Sequence, residues 1–93
     1  MLSDKQVKEK FYHCFSDLQR AATAFYRQPQ GQTHQVFLKH ALKILASFKD
    51  QKTQGRIKEL ILLKEKTALP VNNRQEVIRL ADKILTLGCV LKA

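Results

Sequence analysis

SDKQVKEKFYHCFSDLQRAATAFY, residues 3–26, decides the fold. At 100° per residue Val7, Phe11, Cys14, Phe15, Leu18, Ala22, Phe25 and Tyr26 gather on one face, while Glu9, His13, Asp17 and Arg20 take the opposite side. Ser3, with Gln6 three positions on, has the form of a capping box that starts the helix. The spacing therefore predicts one amphipathic helix of about six turns. Pro29 and Gly31 end it, because proline lacks a backbone donor and disfavours helix in the residue before it. Thr33 is then placed to cap a second helix.

Outward from that element, the same period recurs three more times. A second helix is expected from His34 to Lys49, burying Phe37, Leu38, Ala41, Leu42, Ile44, Leu45 and Phe48. DQKTQG, residues 50–55, has no apolar residue and is expected to be a turn. A third helix is expected from Arg56 to Lys66; its run Leu60-Ile61-Leu62-Leu63 could describe a short buried strand, but the flanking residues favour helix and no partner strand exists. TALPVNN breaks it, and Asn73 with Glu76 resembles a further cap. Helix four, Arg74 to Leu87, carries apolar residues over an arc wider than an ordinary surface helix needs, which fits either the centre of a bundle or half of an oligomer contact. Gly88 reads as its terminator, with Cys89, Val90 and Leu91 as a tail packing back on the core. The expected fold is all-α, a small antiparallel four-helix bundle forming one domain over residues 1–93. Two helix pairs are too few for a solenoid.

A chain of 93 residues has room for one core, and its 44% hydrophobic content is that of a folded protein. So small a core favours sharing with a second copy, so a homodimer is an expectation. The N-terminus has charges from Asp4 onward in place of a signal-peptide core, and no stretch nears the ~20 apolar residues of a membrane span. The expected location is cytoplasmic. Cys14 and Cys89 form no C-x-x-C pair and are expected as buried free thiols.

Charge is the remaining signal. The chain holds 17 Lys and Arg against 8 Asp and Glu, a net of +9. Between residues 27 and 58 lie Arg27, Lys39, Lys43, Lys49, Lys52, Arg56 and Lys58 against Asp50 alone, so most of the excess falls on the second helix and its two connections. Lys39, Lys43, Lys49, Lys52, Arg56 and Lys58 are the candidate contacts for an anionic partner. A face of that kind can equally be one that only keeps the bundle in solution.

The function expected is a non-enzymatic protein–protein interaction module, self-associating through an apolar interface of Leu62, Leu63, Leu80 and Leu87, with the basic face steering an acidic partner. The alternative is nucleic-acid binding through the same cations on phosphates. Only two of the seven cations in residues 27–58 are arginine, and no exposed aromatic pair stands ready to stack bases, which weakens that alternative. A helix-turn-helix over residues 59–85 fits poorly, since its connection is long and offers Pro70 in place of glycine. No catalytic motif is present, His13 and Cys14 diverge on their helix, and His34 and His40 lack a third ligand, so no catalytic residue, metal or cofactor is assigned.

Overall fold

Four helices account for the fold of the computed structural model, which describes residues 3–69, 71 and 73–92. They are α1 (Asp4–Arg27), α2 (Thr33–Leu45), α3 (Gln51–Ala68) and α4 (Arg74–Lys92). Cross-helix contacts set their directions. The start of α1 meets the end of α2, where Phe11 stacks on Phe48 with ring centroids 4.7 Å apart. At the other end, His34 at the start of α2 reaches the Thr67 carbonyl near the end of α3, and Arg74 at the start of α4 reaches Tyr26 near the end of α1. Each neighbour is therefore antiparallel, α1 between α2 and α4, in a rod 44 × 20 × 19 Å.

α1 starts as its capping box predicts: Ser3 Oγ accepts from the Gln6 amide, and the Gln6 side chain accepts from the Ser3 amide. Its buried face is Cys14, Leu18, Ala21, Ala22 and Phe25, with Asp17 among them. That last placement corrects the sequence reading, which put Asp17 on the wet side. Tyr26, expected on the apolar face, is exposed, with the Arg74 guanidinium 4.2 Å over its ring.

The start of α2 differs too. Gln32, not Thr33, is the N-cap, and no side chain caps it. Side-chain bonds tie this end of α2 to the last turns of α3 instead: Gln35 donates to the Lys64 carbonyl and to Thr67 Oγ1, which itself donates to the Leu63 carbonyl. α2 stops at Leu45 rather than Lys49, since the chain turns at Ala46–Ser47 and Phe48 leaves the helix for the Phe11 ring.

Residues 51–55 are helical, not a turn. Asp50 caps α3, its Oδ2 accepting from the Thr53 amide and hydroxyl at 2.9 Å each, which fixes the first turn before any apolar residue appears. These bonds hold the Asp50 carboxyl below its ordinary range. Gly55 thus lies within a helix, with a negative φ and nothing within 4 Å of where a Cβ would be. Gly55→Ala is expected to stabilise the fold by roughly 0.5–1 kcal/mol through backbone entropy alone, raising Tm by a few degrees in a thermal melt; a loss would mean that the turn of sequence reading was right.

Of the expected break after α3, Pro70 and Asn72 lie outside the described residues. Asn73 Oδ1 accepts from the Gln75 amide, as a cap should, whereas Glu76 turns forward to Arg79 instead of back to the helix start. α4 then continues through Gly88 to Lys92, so Gly88 is no terminator and Cys89–Leu91 no tail. Gly88 sits where α4 crosses α1, at van der Waals distance from Leu18 and Phe15. One core runs through all four helices, from Leu18 and Phe25 of α1 through Leu38 and Leu45, Leu60 and Leu63, to Leu80 and Ile84.

Candidate functional site

Every cation of the candidate cluster lies on α2, on α3 or on the connection between them. Lys39 and Lys43 are exposed on α2. The pairing of His34 with Thr67, and of Gln35 with Lys64, sets an antiparallel register in which Lys43 stands level with Lys58 of α3. Lys49 is exposed in the connection, Lys52 is exposed in the first turn of α3, and Arg56 is half-buried one turn further on. Of these six cations only Arg56 has a carboxylate of the described residues within ion-pair reach, Glu59 at 3.8 Å. The positive potential of the other five is therefore not cancelled by close partners.

The expected apolar interface divides differently. Leu63, Leu80 and Leu87 are 4%, 1% and 2% exposed, and they fill the chain's own core. Only Leu62, half exposed, is available to a partner, beside the exposed Ile61. Part of the wide arc of α4 is covered from within: Val77, Leu80, Ala81, Ile84, Leu87 and Leu91 meet α1 on one flank and α3 on the other, while Ile78 and Leu85 are exposed.

Two polar arrangements escaped sequence reading. Asp17, its side chain 8% exposed, accepts a 2.6 Å hydrogen bond from Nδ1 of His40, whose own side chain is 61% exposed. An imidazole beside a carboxylate carries its proton on the facing nitrogen, so Nε2 of His40 is left towards solvent, next to Lys39 and Lys43 in the chain. The partners are 23 residues apart, and only a period-based look for polar residues inside an apolar arc would have flagged Asp17. At the opposite end, His34 is buried between Phe25 and Thr67; its Nε2–H donates to the Thr67 carbonyl at 3.0 Å, and its Nδ1 has no partner among the described residues. Among the described residues no three His, Cys, Asp or Glu side chains come together as a metal site, and no helix is long and apolar enough to cross a membrane.

The two thiols part company. Cys14 is buried, with Sγ 3.7 Å from the Ala41 carbonyl, and burial together with the neighbouring Asp17 carboxylate pushes it up to about 12. Cys89, expected inside, is exposed on α4. A thiol reagent at pH 8 is expected to modify one cysteine of the native protein promptly and the second only after denaturant is added; two prompt equivalents would mean that α1 and α2 do not enclose Cys14.

A cavity of about 390 Å³ opens at the end of the rod where α1 begins, walled by Val7, Phe11, Phe48, Val90 and Leu91, with Asp50, Thr53, Lys52 and Arg56 contributed from the start of α3. Two of the six candidate cations thus meet apolar side chains from the other three corners of the bundle. Comparison with protein-family models, with curated proteins and with solved structures found no match, so the reading of these surfaces rests on their chemistry.

Proposed function

We propose that the chain is a non-enzymatic helical interaction module whose α2–α3 cations bind an acidic surface on a protein partner. The observation that carries this reading is the set Lys39, Lys43, Lys49, Lys52 and Lys58, each exposed on α2, α3 or the connection between them, with no carboxylate within 4 Å among the described residues. Unpaired, hydrated charges cost little to leave in water, and they raise the encounter rate with an oppositely charged surface within about a Debye length, roughly 8–10 Å in physiological salt. Lysine on flexible stems suits a diffuse acidic surface better than the bidentate reading of phosphate or base edges, which favours arginine.

The test is a Lys39→Glu/Lys43→Glu double variant, titrated beside the wild type against poly-glutamate and against duplex DNA and RNA over a salt series. Both side chains leave the core, so circular dichroism and Tm are expected to be unchanged. Affinity for the acidic polypeptide is expected to fall at least tenfold. Equal binding by variant and wild type would overturn the proposal; tighter binding to duplex, with a steep salt slope, would replace it by the phosphate-contact reading. Light scattering on the pure chain separates a second copy from a different partner: a mass of 10.7 kDa excludes self-association.

A further inference from the structure

We infer that the cavity at the α1-start end of the bundle is a binding site for a small amphipathic anion, a carboxylate or phosphate monoester on an aliphatic body. Its 390 Å³ falls in the range of ligand pockets, roughly 300–1,000 Å³. Four of its wall residues, Val7, Phe11, Phe48 and Val90, are apolar side chains from three different segments that the fold leaves partly exposed. A surface of that kind stays in contact with water unless something apolar covers it.

Charge at the rim selects the occupant. Lys52 and Arg56 line the cavity from consecutive turns of α3. Among the described residues Arg56 has one ion-pair contact, the long 3.8 Å approach to Glu59, which leaves its planar fork able to take two oxygens of an anionic head. Lys10 adds a third cation at the same end, its Nζ 5.7 Å from the Phe48 ring centre and hydrogen-bonded to Ser47 Oγ. The rim also carries one anion, Asp50, but its Oδ2 is occupied by the amide and hydroxyl of Thr53. An uncharged apolar molecule would leave these cations unused, and an amphipathic cation would be repelled by them. Free ligand is favoured over a membrane surface, because the apolar residues line a recess walled by α1, α4, the start of α3 and the α2–α3 connection.

This inference shares Lys52 and Arg56 with the proposed acidic-partner surface but does not need Lys39 or Lys43, so the two fail independently. The experiment uses the full chain labelled with ¹⁵N and titrated with decanoate or decyl phosphate below their micelle concentrations, with decanol and a decyl trimethylammonium salt as controls. Amide shifts are expected to concentrate at residues 7–11, 48–56 and 90–91. Decanol is expected to bind at least tenfold more weakly than decanoate, and the ammonium amphiphile not at all. Arg56→Glu should weaken decanoate about tenfold or more, whereas Lys39→Glu/Lys43→Glu should leave it unchanged. Val90→Asp, at an exposed position of α4, places a carboxylate on the opposite wall and should abolish binding, which keeps the test decisive even where Arg56→Glu disturbs α3. Equal binding of decanol and decanoate, shifts scattered over the whole surface, an unaffected Arg56→Glu that folds, or binding seen only with anionic vesicles would each overturn the inference.

Discussion

Phe25→Ala is expected to lower the unfolding free energy by about 3–5 kcal/mol, a large share of the roughly 5–15 kcal/mol that holds a domain of this kind together. Phe25 is fully enclosed, on the buried arc of α1 in the last turn of that helix. Its ring meets His34 edge-on, with centroids 4.9 Å apart, and so holds α1 against the start of α2. Truncation removes most of a phenyl ring from a site where the backbone is fixed on both sides, and the surrounding helices cannot close the void. Water entering that void finds an acceptor at His34 Nδ1, which has no partner among the described residues. That offsets part of the loss, so the value is expected nearer to about 3 kcal/mol than to 5, with a Tm fall on the order of 15 °C. Phe25→Leu, which keeps most of the volume, should cost roughly 1–1.5 kcal/mol. Urea unfolding followed by circular dichroism gives both numbers, provided that the m-value is unchanged. A Phe25→Ala loss below about 1 kcal/mol would show that the ring is not enclosed and that the assignment of the α1 buried face is wrong.

How far the chain can be read without coordinates follows from what kind of signal each feature gives. The four helices and their apolar stripes are periodic, local and redundant, so Leu18, Leu38 and Ile84 could be placed inside from spacing alone, and the structure puts each of them there. Local polar chemistry was legible where both partners fall within one turn, as at Ser3 and Gln6. It was missed at DQKTQG, where the absence of apolar residues reads as a loop although Asp50 and Thr53 carry a helix start. Distant pairs were not legible: Asp17 looks like a surface residue until His40, 23 positions away, is known to face it. The same limit applies to the binding surfaces. Net charge marks residues 27–58, but which cations stand over water and which over an apolar recess depends on how the helix ends meet, and only the fold brings Val90 and Arg56 to one cavity. Leu63, Leu80 and Leu87 failed as an interface for a related reason: a wide apolar arc tells how much surface is covered, not by what.

Gly88 gives the sharpest separation between two readings of one residue. As a helix terminator it would occupy the left-handed region, and alanine there would cost about 1 kcal/mol. In the structure no glycine among the described residues has a positive φ, and α4 continues for four residues beyond it. A Cβ built at Gly88 would lie 3.4 Å from Leu18 Cβ and 3.4 Å from Phe15 Cδ1, contacts that are close but ordinary. Gly88→Ala is therefore expected to fit and to gain roughly 0.5–1 kcal/mol from the lower backbone entropy of the unfolded chain. Gly88→Leu has no such room, since its outer carbons must enter the space already filled by Leu18 and Phe15; pushing α4 away from α1 is expected to cost about 1–3 kcal/mol or more. The two substitutions should thus shift Tm in opposite directions, and their difference, on the order of 2–4 kcal/mol by the same overpacking and propensity terms, is well outside the scatter of a thermal melt. The opposite sign for alanine would place Gly88 at a helix end, and a harmless leucine would mean that α1 and α4 do not approach there; either result would undo the crossing around which this bundle is packed.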